Sequence, residues 1–234
     1  WLAVKDKERL ILNFGTTEVW TPTTLEGYEA LQRDGYRVTG LGKVPDVYEP
    51  LIVEAGGRKI GFLSLTGLIR HAEEVALPTR AGLPRAYRTD EVTDVVKAAK
   101  AKVDYLFVLI DWGKTYGQTP NTSQRLIGRA ILKAGGDCVI GNRPVRAQEL
   151  AVVDGKPLFY ALGHAVADET GQTSYNLMVE AVFSGEGELE RLSVVGGKLA
   201  DGVLSFDLTE EDRKYFADKY AIMEALPEYV ELVW

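Results

Sequence analysis

The chain has 234 residues, of which 46% are apolar and 26% are charged, a composition typical of globular proteins. Its formal net charge is −7, and an acidic chain without a basic run is a poor candidate for nonspecific nucleic-acid binding. The single cysteine, Cys138, excludes an intrachain disulfide, and the two histidines, His71 and His164, exclude a His-rich metal centre. No apolar run reaches the roughly 18 residues of a membrane helix. Because the chain begins at Trp1, we expect a fragment or a processed form, with any membrane anchor in a preceding segment.

The first part of the chain predicts a β-α-β unit. A short apolar strand at 9–13 precedes a helix that begins near Pro22 and ends at Gly35, and a second strand follows at 36–39. This order favours a parallel or mixed sheet.

The central part continues with strands and helices. The predicted elements are a hairpin of 51–54 and 59–65 around Gly56-Gly57, an irregular loop at 66–88, a helix capped by Thr89 or Asp90, a buried strand at 105–110, a helix capped by Ser123, and a strand at 138–140.

The pattern then changes to antiparallel pairs. Two hairpins are predicted, at 150–162 and 176–195, followed by a helix that Thr209 caps. We therefore expect one α/β domain over 1–195 and a C-terminal appendage with a helix over 196–234, packed on the same domain.

A group of polar residues falls where predicted strands end. They are Asn13 and Glu18 after the first strand, Asp111 after the strand at 105–110, Asn142 and Arg143 after the strand at 138–140, and His164 beyond the last strand of the 150–162 hairpin. Ligands of α/β sheets bind beyond the carboxyl ends of the strands. One interpretation of these polar residues is therefore that they line a shared binding pocket. The alternative is that these are the ordinary polar loops of strand ends.

Several segments carry a family resemblance. Residues 29–42 are similar to "EAL…AG…VGAG", 105–113 to an apolar strand ending in "HWG", Tyr116, Pro120 and Gln124 to the "Y…P…Q" that follows, 134–141 to "AGADLVIG", 142–148 to "HHPHVLQ" and 160–164 to "YSLGN". In this order and spacing, over about residues 10–170, the chain resembles the CapA (PgsA) family of capsule-synthesis proteins associated with poly-γ-glutamate.

The resemblance implies an architecture and a location. That family is similar to the calcineurin-like metallophosphoesterases, which implies an α/β sandwich of mixed β-sheets flanked by helices. The family's upstream "GDxM" and "NLE" segments have no counterpart, so the N-terminal part of the pattern is expected to be missing or to precede Trp1. The resemblance also implies a place at the bacterial cell surface or the outer face of the membrane. An anionic polymer such as poly-γ-glutamate and other capsule-synthesis proteins would be the partners.

The departures from the family pattern fall on its metal ligands. Gly15 and Glu18 replace a histidine and an aspartate, Asp111 replaces the histidine of "HWG", Asn142, Arg143 and Val145 replace three histidines, and His164 replaces the asparagine of "SLGN". Gly15 and Val145 offer no ligand, and a permanently cationic Arg143 repels a divalent ion. We therefore expect no cofactor. The alternative is a single Mg²⁺ or Ca²⁺ held by oxygens of Asn13, Asp111 and Asn142.

The charged candidates each have two interpretations. Asp111 is either a remnant ligand or an acid, or else a solvated carboxylate that caps a loop or pairs with Lys114. Arg143 and Arg146, with Lys114 nearby in motif order, either clamp an anion such as a γ-glutamyl carboxylate or a phosphate, or form surface salt bridges in an acidic protein.

The remaining candidates are similarly open. His164 is either a proton-transfer group or a hydrogen-bonded packing residue. Trp112 packs in the core or lines a pocket, and Cys138 is expected to be a buried, unreactive thiol.

Three functional hypotheses follow. The first is a non-catalytic CapA-like binding or scaffolding protein that has lost its dinuclear metal site. The alternative is a metal-dependent hydrolase, a phosphoesterase or γ-glutamyl amide hydrolase, with Asp111 or Glu18 as general base and His164 as acid. The third is a purely structural domain of a larger surface protein.

Overall fold

The computed structural model describes residues 11–13, 15, 22–165, 173–220 and 226–234. Within them, no helix is both long enough and apolar enough to cross a membrane.

The chain opens with the predicted β-α-β unit. Strand β1 (Ile11–Asn13) pairs parallel to β2 (Arg37–Thr39), with helix α1 (Pro22–Arg33) between them. Asn13 lies opposite Thr39 in this pairing, which places it at the carboxyl end of the pair.

A six-stranded mixed sheet forms the centre of the molecule. Its strands are β3 (Leu51–Ala55), β4 (Arg58–Thr66), β5 (Tyr105–Asp111), β6 (Cys138–Asn142), β7 (Leu150–Val153) and β8 (Lys156–Phe159), in the order β3-β4-β5-β6-β8-β7. The four inner strands run parallel, and the hairpin partners β3 and β7 are the antiparallel edges. The inner strands therefore all end at the same side of the sheet.

Two helices cover one face of this sheet. Helices α2 (Thr89–Lys100) and α3 (Thr122–Lys133) place Val96 and Ile131 against Leu65, Val108 and other apolar side chains of the strands. This packing explains the continuous apolar run of β5, since its other face is buried as well.

A second sheet lies on the opposite face. Its long strand β10 (Leu189–Ala200) pairs antiparallel with β9 (Thr173–Phe183) and β11 (Val203–Ser205) and parallel with β12 (Val230–Val233). Leu192 and Val194 of β10 share one apolar core with Phe107 and Phe159 of the central sheet and with Phe216 of helix α4 (Glu210–Tyr220). Mixed β-sheets flanked by helices confirm the predicted α/β class.

The expected division between 195 and 196 falls inside β10. Strand β12 pairs with residues 192–195 of β10, and β11 pairs with residues 198–200. Residues on both sides of the expected division therefore belong to one sheet.

Two helix caps differ from the prediction. The residue that precedes α2 is Arg88, which makes no capping hydrogen bond and instead pairs with Asp90 at 2.6 Å. Helix α3 is capped by Asn121, not by Ser123. Asn121 accepts a hydrogen bond from the Gln124 backbone, and the Gln124 side chain accepts one from the Asn121 backbone in return.

Candidate functional site

The carboxyl ends of three neighbouring strands form one row. Thr66 of β4 lies opposite Asp111 of β5, which lies opposite Asn142 of β6. Side chains alternate along a strand, and Leu65 and Ile110 face the helices, so Thr66 and Asp111 face the other side of the sheet. The register thus brings two of the predicted site residues, Asp111 and Asn142, to adjacent positions.

Asn13 is held beside this row by hydrogen bonds. Its Oδ1 accepts from Ser64 Oγ at 2.7 Å and from the Gly15 backbone at 3.0 Å, and Thr66 Oγ1 donates to the Gly15 carbonyl at 2.8 Å. A Cβ on Gly15 would lie 2.1 Å from Ser64 Oγ, so this packing leaves no room for a side chain there. Glu18, the other predicted residue of this segment, lies outside the described residues.

The centre of the site is a buried ion pair. The Arg143 guanidinium Nη2 pairs with Oδ2 of Asp111, and the two side chains are 0% and 2% exposed. Arg143 adopts a positive φ of 92°, a backbone conformation that residues with a side chain rarely occupy. The interpretation of Asp111 as a solvated carboxylate is therefore wrong, because its side chain is buried against Arg143.

Arg146 lies on a different side of the same loop. It is exposed, and its charge acts on α4: burial and the charge of Arg146 together lower the pKa of Lys219. Arg143 and Arg146 therefore do not face the same space.

His164 enters the site through its backbone. Its N–H donates to the Val145 carbonyl at 3.4 Å, and its carbonyl accepts from Asn176 Nδ2 at 2.7 Å. The imidazole is half-buried. Asn176 is 1% exposed and was not predicted from the sequence; the available signal was a polar residue at the start of the apolar stretch of β9.

Trp112 combines both of its predicted roles. Its indole Nε1 donates to the Tyr160 carbonyl at 2.7 Å in the core. The same residue lines a cavity of about 210 Å³ on the helix side, next to Asn121 and Ser123 at the start of α3. This cavity lies on the face of the sheet opposite to the Asp111 side chain.

A family model described as bacterial capsule synthesis protein PGA_cap matches residues 22–169. The chain belongs to this family. The matched range includes Asp111, Trp112, Asn142, Arg143, Arg146 and His164, whereas Asn13 and Glu18 precede it.

Two curated relatives agree with this membership. The PGA biosynthesis protein CapA of Bacillus subtilis (strain 168) is 35% identical over 75 residues, which are 32% of this chain and 20% of that protein. The capsule biosynthesis protein CapA of Bacillus anthracis is 23% identical over 176 residues, which are 71% of this chain and 42% of that protein. The chain thus spans less than half the length of either relative.

Two solved structures are similar at low sequence identity. A hypothetical protein from Thermus thermophilus is 14% identical, with a TM-score of 0.49 over 80% of this chain and 74% of that chain. The NAD nucleotidase (NadN) of Haemophilus influenzae is 12% identical, with a TM-score of 0.39 over 85% of this chain and 42% of that chain. At these scores neither likeness carries a functional argument.

The described residues at the ligand positions that the resemblance implies do not fit a dinuclear metal centre. The guanidinium of Arg143 lies against Asp111, where its fixed positive charge opposes a divalent ion. Asn13 Oδ1 already accepts two hydrogen bonds. Among the residues that the structure describes, no three or more His, Cys, Asp or Glu side chains form a group able to hold an ion. What the arrangement does hold at the strand ends is a buried, charge-compensated pair of Asp111 and Arg143.

Cys138 is buried in β6, and burial raises the pKa of its thiol. A thiol that resists deprotonation is a poor nucleophile, in agreement with the predicted unreactive role.

Proposed function

We propose that this chain is a non-catalytic member of its family, which binds an anionic polymer or scaffolds other proteins during capsule or cell-surface polymer synthesis. The family membership supports the capsule-related role. The proposal places the protein at the cell surface or the outer face of the membrane, where a capsule is assembled.

The observation that carries the proposal is the buried pair of Asp111 and Arg143. In the family pattern both positions are histidines, which are neutral nitrogen ligands. In this chain the guanidinium of Arg143 takes the place of a bound metal ion, and its positive charge is compensated by the carboxylate of Asp111. The loop then keeps its place at the strand ends with no ion to fold around.

The remaining ligand positions support the same interpretation. Gly15 has no side chain. The space that a Cβ would need there is occupied by Ser64 Oγ and Asn13 Oδ1, which are hydrogen-bonded to each other. An enzyme of the two-metal type needs several ligands on each ion, and losing ligands from two separate segments removes that chemistry.

The test combines binding and hydrolysis in one sample. Poly-γ-glutamate is incubated with the protein in Mn²⁺, in Mg²⁺ and in EDTA. Size-exclusion chromatography with light scattering then reports whether the polymer elutes together with the protein and how long the polymer is. Under all three conditions we expect the protein to retain the polymer and the polymer length to stay unchanged. We also expect no release of phosphate from a generic phosphomonoester.

Two results would contradict the proposal. Shortening of the polymer in Mn²⁺ or Mg²⁺ that EDTA and Asp111→Asn both abolish would establish the metal-dependent hydrolase instead. Absence of any polymer retention would refute the binding function.

A further inference from the structure

Three chain segments meet beside the buried ion pair. The Val145 N–H donates to the Thr115 carbonyl at 2.8 Å, which joins the loop after β6 to the loop after β5. Lys219 Nζ of α4 donates to the Ala147 carbonyl at 2.6 Å, which joins the same loop to the helix. The three segments are therefore joined to one another by hydrogen bonds.

Each of the three segments carries a cation: Lys114, Arg146 and Lys219. The first two are exposed and the third is half-buried. Among the described residues, none of the three forms an ion pair with a carboxylate. We call these three residues the basic strip.

Several acidic side chains of the described segments around the basic strip are engaged by other cations. Carboxylates of the surrounding segments pair with other cations, namely Glu149 with Arg125 at 2.7 Å, Asp212 with Lys198 at 2.8 Å and Asp218 with Lys214 at 2.6 Å. In a chain with a net charge of −7, three cations that pair with no carboxylate among the described residues leave a local positive potential.

Two tyrosines accompany the cations. Tyr116 is 73% exposed on the loop of Lys114, and Tyr215 is 39% exposed on α4. Lys219 Nζ lies 5.5 Å from the ring centroid of Tyr215. Aromatic faces of this kind provide apolar contact area for the methylene groups of a bound chain.

The electrostatics of Lys219 agree with a site for anions. Burial lowers the pKa of Lys219, and the charge of Arg146 lowers it further. A carboxylate bound between Arg146 and Lys219 would favour the charged ammonium and raise this pKa again.

We infer that the basic strip is the docking site of an extended polycarboxylate chain, with single carboxylates at Lys114, Arg146 and Lys219 and the chain's methylenes on Tyr116 and Tyr215. The inference rests on the proposed function, whose polymer is poly-γ-glutamate. A nucleic acid is disfavoured, because three cations on a protein of net charge −7 provide little counterion release.

The experiment compares two variants of equal charge. Lys114→Met with Arg146→Met removes two exposed cations of the basic strip. The control, Lys133→Met with Arg213→Met, removes two exposed cations on α3 and on another face of α4. Calorimetric titration with poly-γ-glutamate at low salt should give binding about tenfold weaker for the strip variant and unchanged for the control.

Each outcome decides one claim. Equal binding by wild type and the strip variant would refute the docking site and leave the proposed function intact. No binding by the wild type would refute both the docking site and the polymer-binding form of the proposed function. Tighter binding of duplex DNA than of poly-γ-glutamate, weakened by the strip variant, would overturn the polycarboxylate assignment. Circular dichroism of both variants checks that the fold is retained, and a rise in the Lys219 pKa on polymer binding, followed by NMR of its side chain, supports direct contact.

Discussion

Removing one partner of the buried ion pair should destabilise the protein strongly. In Arg143→Met the side chain keeps its Cβ, so the strain of the positive φ is the same in both proteins, while Asp111 loses the guanidinium charge beside it. Because the two side chains are 0% and 2% exposed, water cannot replace the lost interaction. Breaking a buried pair in this way costs about 3–5 kcal/mol.

This magnitude is a large fraction of the total stability. A typical domain unfolds with about 5–15 kcal/mol, so the variant should lose at least a fifth of that free energy. With a urea m-value of about 2–3 kcal/mol/M, the midpoint of equilibrium unfolding should fall by about 1–2.5 M.

A matched control separates burial from charge. Arg88→Met breaks a pair with Asp90 whose side chains are 65% and 61% exposed, and its midpoint should not change measurably. The double variant Asp111→Leu/Arg143→Met removes both buried charges and should be more stable than the sum of the two single losses predicts. A loss below about 1 kcal/mol in Arg143→Met, or strict additivity in the cycle, would refute the reasoning.

Three further predictions concern other parts of the fold. The hydrogen bond from Lys198, followed by those from Thr209 and Tyr175, lowers the pKa of Asp212. The ionised Asp212 therefore stabilises the folded protein above the pKa of about 3.9 that it has in the unfolded chain, and this stabilisation is lost as the pH falls below that value. Between pH 5 and pH 2 the free energy of unfolding should therefore fall more steeply for the wild type than for Asp212→Asn; parallel curves would contradict this. Asn121→Ala should lower the stability of the protein by about 1 kcal/mol in urea unfolding, and Ser123→Ala should change it less; the reverse order would mean that Ser123 is the true cap. Gly141→Ala would place a Cβ 2.0 Å from the Tyr160 carbonyl oxygen. It should lower the free energy of unfolding by about 1–3 kcal/mol and change the tryptophan fluorescence. In the control Gly27→Ala the new Cβ meets nothing within 4 Å, so this variant should be neutral or stabilising.

The central sheet could be predicted because its signals are local. The apolar run of β5 is long enough to indicate a strand buried on both faces, and the Gly56-Gly57 pair indicates the turn between β3 and β4. The register of β4, β5 and β6 then follows from the parallel arrangement, which brings Asp111 beside Asn142.

The centre of the site could not be predicted in this way. Arg143 pairs with Asp111 from a loop in which its own φ is positive, and no periodicity signals that conformation for an arginine. The same holds for the helix cap, where Asn121 and Ser123 are both suitable residues. Asn121 is the cap because its partner Gln124 is fixed in place: Gln124 is buried, and its side chain is hydrogen-bonded to Gln148 at 3.0 Å.

The measurement that tests the account most directly is metal binding by the purified chain. The protein and its Asp111→Asn variant are loaded with Mn²⁺, dialysed and analysed by inductively coupled plasma mass spectrometry. If the ion pair replaces the family's metal centre, both proteins retain only traces of metal, at equal levels. Near-stoichiometric metal in the wild type that is lost in Asp111→Asn would contradict the account, because the site would then hold an ion in spite of Arg143.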